Sequence, residues 1–260
     1  MMKSSDYSPP LTLDPETCST DDGNYQLVVA NPVIINGYCD KTTRQRFIGK
    51  VYGTLWLQLM FTSIFIGLCN QDKVLQDFIV SPVGIGLMYG SSASLLIMAC
   101  ALFCCFTSIR RVPFNYLYVI FFTICMSYSI GYVGIFYDPQ TLLLAGLSTS
   151  GIFSGLTIYA IQTKYDYTSY GGIGIAMLLG LIMFGIFTSF LQIQLLRIMY
   201  SVGGSLIFSF YIVYDTQLIT GGTERKIQYT VDDFALASVN LYLDITNLFL
   251  LMLNLLSGRN

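Results

Sequence analysis

The chain has 260 residues, 54% of them hydrophobic and 11% charged; a soluble domain carries about 25% charged residues, so this composition belongs to a membrane protein. Thirteen Lys and Arg against fifteen Asp and Glu leave a net charge of −2, which excludes a basic nucleic-acid-binding surface. There is no His, which removes imidazole bases, Ser-His and Cys-His nucleophilic pairs and His-ligated zinc or haem.

The first forty residues are polar and hold Pro9, Pro10, Pro15 and Pro32, with six acidic groups against Lys3. That composition predicts a disordered cytosolic tail over 1–40 and a membrane domain over 41–260. The tail lacks a basic start followed by an apolar core, so the first span is expected to act as the insertion signal.

Crossing roughly 30 Å of hydrocarbon takes about 20 helical residues. Stretches of that kind run from Val51 to Cys69, Gly84 to Ile109, Phe114 to Phe136, Thr141 to Gln162, Gly171 to Leu191, Leu195 to Tyr214 and Phe234 to Leu256. The run from Gly171 to Tyr214 would be about 66 Å long as one helix, twice the bilayer, and must be two. Pro82, Pro113 and Pro139 fall between spans, where they start or stop helices. The expected fold is an all-α bundle of seven transmembrane helices. Cys100, Cys104, Cys105 and Cys125 sit in apolar runs and read as small packed hydrophobes. Glycines at Gly151 and Gly155, extended by Ser150 and Ser154, and at Gly180, Gly185, Gly203 and Gly204 are expected to mark close helix contacts.

Orientation follows from the basic residues of the short loops. Lys3, Lys41, Arg44, Arg46, Lys50, Arg110, Arg111, Lys164, Arg225 and Lys226 fall on one side, and Lys73, Arg197 and Arg259 on the other. The N-terminus is therefore expected in the cytosol, the reverse of a G-protein-coupled receptor.

Apart from span ends, one side chain within the spans is charged: Asp244, in the middle of the seventh. An Asp at that depth costs about 2.5–3.5 kcal/mol and should face the bundle interior or water. Asn240, Asp244, Asn247 and Asn254, spaced by four, three and seven, form a polar stripe on one helical face. The stripe predicts a buried seventh helix lining a hydrated path, with Asn240 and Asn247 as pore-lining groups; interhelical glue is the alternative for the amides. Asp215 ends the sixth span, and a solvated helix-end residue is the alternative reading of it. Should Asp215 and Asp244 meet, they would share a proton, titrate as a unit and offer a weak, transient site for calcium, a hard cation. Arg110 and Arg111 close the second span and are candidates to latch that mouth to a carboxylate.

Three segments carry a resemblance: Asn240-Leu-Tyr-Leu-Asp-Ile-Thr-Asn-Leu-Phe, Tyr214-Asp-Thr-Gln-Leu-Ile-Thr-Gly-Gly and Gln162-Thr-Lys-Tyr-Asp-Tyr-Thr-Ser-Tyr-Gly-Gly. Together with Arg46-Phe-Ile-Gly-Lys-Val-Tyr they make residues 41–260 resemble the transmembrane Bax inhibitor motif family, in particular its Lifeguard branch. The resemblance implies a seven-helix bundle with the seventh helix central, acting as a pH-sensitive calcium leak channel that modulates cell death, in the endoplasmic reticulum or Golgi, with the plasma membrane as alternative. It implies that Asp215 and Asp244 are the proton-sensing gate and that Arg110 or Arg111 is its latch. It calls for no resident cofactor; the partners it implies are the lipid bilayer, calcium, protons and cell-death regulatory membrane proteins. The loop after Gly222 reads Thr-Glu-Arg-Lys, where many relatives carry a His.

Two other classes compete. An intramembrane aspartyl protease also pairs carboxylates to activate water, but Asp244 is preceded by Leu-Tyr-Leu instead of the expected Gly-x-Gly, and no Pro-Ala-Leu follows. A regulatory protein without transport would act through its cytosolic loops and acidic tail.

Overall fold

A computed structural model describes residues 41–104, 113–222 and 225–257. The expected tail over 1–40 and the candidate latch residues Arg110 and Arg111 lie outside the described residues. Among the described residues eight α-helices follow in order: α1 (Lys41–Gln71), α2 (Lys73–Val80), α3 (Pro82–Cys104), α4 (Phe114–Gly134), α5 (Pro139–Gln162), α6 (Gly171–Leu191), α7 (Gln194–Thr220) and α8 (Phe234–Ser257). Short 3₁₀ turns precede α6 (Tyr167–Tyr170) and α8 (Val231–Asp233). All but α2 are long and apolar enough to cross a membrane. Among the described residues there is no strand.

Local sequence accounts for the boundaries. Asp138 caps α5 by accepting from the Gln140 N–H at 3.2 Å, and Pro139 occupies the first turn, where its missing N–H costs nothing. Asp72 caps the short α2 in the same way through Val74 N–H at 2.9 Å. The break in the long apolar run falls at Gln192, in left-handed conformation with φ 51°. Before α8, Thr230 and Asp233 form a reciprocal capping box.

Three boundaries differ from expectation. α1 begins ten residues before Val51, because Lys41–Lys50 continue the helix out of the apolar layer. α2 is a short amphipathic turn in what the sequence offers only as a loop. The sixth span does not stop at Tyr214: α7 continues to Thr220, so Asp215 lies inside the helix.

The last helix is the centre of the bundle. α8 touches α1, α4, α5 and α7, and Leu241, Tyr242, Leu248 and Val239 on it are fully buried. The outer faces of the other spans carry exposed Leu, Ile and Phe, among them Leu57, Ile97, Leu147, Ile175 and Phe187, as a lipid-facing surface requires. The glycine expectation divides. Gly204 packs against Leu251 and Gly185 against the Tyr200 ring, so these two do mark close contacts. Gly151, Gly155, Gly180 and Gly203 have nothing near their Cβ positions; the Ser150-Gly151-Ser154-Gly155 face points out of the bundle, and its serines bond back to their own helix.

Candidate functional site

The two faces of the bundle are called proximal, where α1 begins, and distal. Near the proximal face, Asp215 of α7 and Asp244 of α8 lie within hydrogen-bonding reach of each other. They are 5% and 7% exposed. The solvated helix-end reading of Asp215 is therefore corrected: α7 runs five residues, or ~7.5 Å, past it. Asp244 lies ten residues inside α8, or ~15 Å. For the two carboxyls to meet, α8 must set out further toward the proximal face than α7 ends. The capping box at Thr230 and Asp233 lets it do so.

The pair sits in a mixed polar and aromatic setting. Asp244 Oδ2 is buried and, among the described residues, has no hydrogen-bond partner. Tyr211, one turn before Asp215, stands close enough for both carboxyls to act on it. From the loop after α7, Tyr229 packs back onto the core, and its hydroxyl accepts from Asn240 Nδ2 at 2.8 Å. Tyr229 lies outside the spans, and its phenol is held well above the ordinary value of 10.0, first by burial and then by the nearby Asp215 carboxyl, with the Asn240 hydrogen bond opposing. It therefore stays neutral.

By sequence alone Arg44 and Arg225 mark only orientation. In the fold each gathers several carbonyls. Arg44 donates to Leu218 O at 2.7 Å, Thr220 O at 3.2 Å and Tyr229 O at 2.6 Å. One cation thus closes the C-terminus of the Asp215 helix, where the dipole favours positive charge, and holds the loop that carries Tyr229. Arg225 donates to Tyr165 O, to Thr163 O at 2.7 Å and to Ala160 O at 3.4 Å. Gln217, fully buried two residues after Asp215, accepts from Tyr167 N–H at 2.8 Å and donates to Tyr165 O at 3.0 Å. These bonds clamp the loop between α5 and α6 to α7.

The α8 stripe is not uniform. Asn240 bonds Tyr229, whereas Asn247 Nδ2 donates to Leu243 O of its own helix at 2.8 Å. Asn254 lines a groove on the distal face. A second polar set, absent from the sequence reading, lies on another side of α8. Thr62 Oγ1 donates to Gln58 O at 2.8 Å and pairs with Ser127 Oγ at 2.8 Å and Tyr242 Oη at 2.7 Å. Gln58 Nε2 donates to Thr123 Oγ1 at 3.0 Å. All five side chains are buried. The signal for them was a polar pair four residues apart in each of two apolar spans, Gln58 with Thr62 and Thr123 with Ser127.

Residues 44–260 match the family described as inhibitor of apoptosis-promoting Bax1. The chain is 29% identical to protein lifeguard 3 of Homo sapiens over 225 residues, 85% of this chain and 71% of that protein. It is 34% identical to the Golgi anti-apoptotic protein of Vaccinia virus (strain Lister) over 247 residues, 94% of this chain and 96% of that protein. With a family match across most of its length, and a relative covered almost end to end, this seven-span membrane protein belongs to the Bax inhibitor motif family.

Proposed function

We propose that this anti-apoptotic family member is a pH-gated calcium leak channel, and that the buried Asp215–Asp244 pair is its gate. The observation that carries the reading is the meeting of these two carboxyls on adjacent central helices, beneath the Tyr229 loop. Two carboxylates this close cannot both ionise cheaply. With one shared proton they bridge α7 to α8 and hold the proximal end shut. Raising the pH removes that proton; the two negative charges then repel, α7 and α8 separate, and the pair becomes an oxygen-rich point that a hard cation crosses.

The orientation that suits this reading puts the N-terminus in the cytosol, in line with ten of thirteen Lys and Arg on one side. The site of action is the Golgi or endoplasmic reticulum, which the printed name of the viral relative supports; the plasma membrane is the alternative. Calcium is the permeant ion, and no resident cofactor takes part. Cell-death regulatory membrane proteins are the proposed partners.

The test is calcium flux into dye-loaded vesicles containing the purified full chain, across a pH series. Wild type should leak more as pH rises. Asp244→Asn keeps a hydrogen bond to Asp215 at every pH and removes the repulsion, so its leak should stay low and flat. A wild-type flux no greater than that of protein-free vesicles at all pH values would favour the regulatory protein without transport. A variant profile that overlays wild type would remove the pair from the mechanism.

A further inference from the structure

We propose that the distal groove between α6, α7 and α8 binds the phosphate of an anionic phospholipid. The groove is open to the surface, has a volume of about 490 Å³ and is lined by Thr188, Ser189, Gln192, Arg197, Tyr200 and Asn254. Two tight contacts, Tyr200 on Gly185 and Leu251 on Gly204, draw α7 against α6 and α8. Every lining side chain carries a polar group, although the helices that supply them are otherwise apolar.

Arg197 is the sole charge of the lining. Among the described residues none of its guanidinium donors has a hydrogen-bond or ion-pair partner, and no carboxylate lines the groove. A guanidinium is a planar fork suited to phosphate oxygens. Thr188 already gives its proton to Gly185 O at 2.9 Å. Ser189, Gln192, Tyr200 and Asn254 supply further donors around the same space. The arrangement thus offers one positive charge and several neutral donors. Among the described residues the lining offers nothing acidic to receive a choline or ethanolamine cation, so the headgroup that fits it is net negative.

A lipid suits the groove better than a free phosphate because of what surrounds it. Phe190, Ile193, Leu195 and Met199 are exposed beside the lining residues, and they present an apolar surface along which acyl chains can lie. The bound lipid would close the distal end of the α8 polar stripe at Asn254. The inference stands whether or not the bundle conducts ions.

Native mass spectrometry of the delipidated full chain, offered dioleoylphosphatidylglycerol or dioleoylphosphatidylcholine, tests it. Wild type should retain the anionic lipid about tenfold better, a difference set by one charge-assisted contact. Arg197→Gln should lose the preference, while Lys73→Gln, on the same face but outside the groove, should keep it. Asn254→Leu, which leaves the charge in place, should weaken retention in a protein of unaltered thermal stability. Equal retention of the two lipids by wild type, or an undiminished preference in Arg197→Gln, would overturn the proposal. So would displacement of the lipid by millimolar inorganic phosphate, which would mark a site for a soluble anion.

Discussion

The hydroxyl of Tyr229 and the side-chain amide of Asn240 are joined by a 2.8 Å hydrogen bond that ties the loop after α7 to the central helix α8. The same residue is held from the other side, where its carbonyl accepts from Arg44. Tyr229 is thereby pinned at two points over the carboxyl pair. Removing the hydroxyl in Tyr229→Phe leaves the Asn240 donor without its partner, at a cost of about 1–3 kcal/mol, and frees the ring to lift. The expected result is higher calcium leak at the pH where wild type is closed. A double-mutant cycle with Asn240→Leu should show a coupling of about 1 kcal/mol in thermal stability; strict additivity would mean that the bond does not hold the loop.

Arg44 sets the second prediction. Its guanidinium satisfies three carbonyls at the end of α7 and in the returning loop, and Gly221, at φ 59°, turns the chain directly beneath it. A Cβ at Gly221 would collide with the Arg44 guanidinium and Gln228 Oε1. Arg44→Ala should lower stability by about 3 kcal/mol, the scale for losing charged hydrogen bonds in a partly buried site. Arg44→Lys should recover only a fraction, because an ammonium lacks the fork that spans three acceptors. Thermal unfolding in detergent reads both; equal stability of Arg44→Ala and wild type would assign the residue to orientation alone.

These two residues show where sequence reading stops. The seven spans are legible because bilayer thickness imposes a length and an apolar composition that no loop mimics, and the central place of α8 is legible in its polar stripe. The end of α7 is not. Asp215, Thr216, Gln217 and Thr220 look like a chain leaving the membrane, yet Asp215, Thr216 and Gln217 are buried. Asp215 meets Asp244, Gln217 bonds the loop at Tyr165–Tyr167, and the Leu218 and Thr220 carbonyls at the helix end are met by Arg44. No local pattern encodes such partners. The Gly151–Gly155 spacing failed for a related reason, since periodicity gives a shared face but not what that face meets.

Asp166 supplies the third prediction, on the loop between α5 and α6. Burial alone would raise its carboxyl. Bonds from Thr168 Oγ1 at 2.6 Å, Lys226 N–H at 3.3 Å, Ser169 Oγ at 3.1 Å and Thr168 N–H at 3.0 Å outweigh it, and the group titrates below its ordinary value of 3.8. A carboxyl lowered on folding adds stability that is fully present above its unfolded value and is lost as pH falls through its folded one. Amide protection of Thr168 and Lys226 should therefore be full near pH 7 and collapse below about pH 4. In Asp166→Asn it should be weak already at neutrality. Protection that ignores both acid and substitution would show that the carboxylate does not organise this loop.

The last prediction concerns the polar set at Thr62, which the proposed gate does not use. Its hydroxyl has one proton and two lone pairs. The proton goes to Gln58 O, so Ser127 and Tyr242 must both donate to it. Thr62→Val keeps the shape but strands two buried donors, at about 1–3 kcal/mol each. Tyr242→Phe removes one of those donors, so the double variant should be less destabilised than the sum of the singles. Both variants should leave the pH profile of calcium flux in place, because the set lies between α1, α4 and α8 while the carboxyl pair joins α7 to α8. Were Thr62→Val to shift that profile while Tyr229→Phe did not, the ion path would run along α1 and α4, and the gate would have to be sought there.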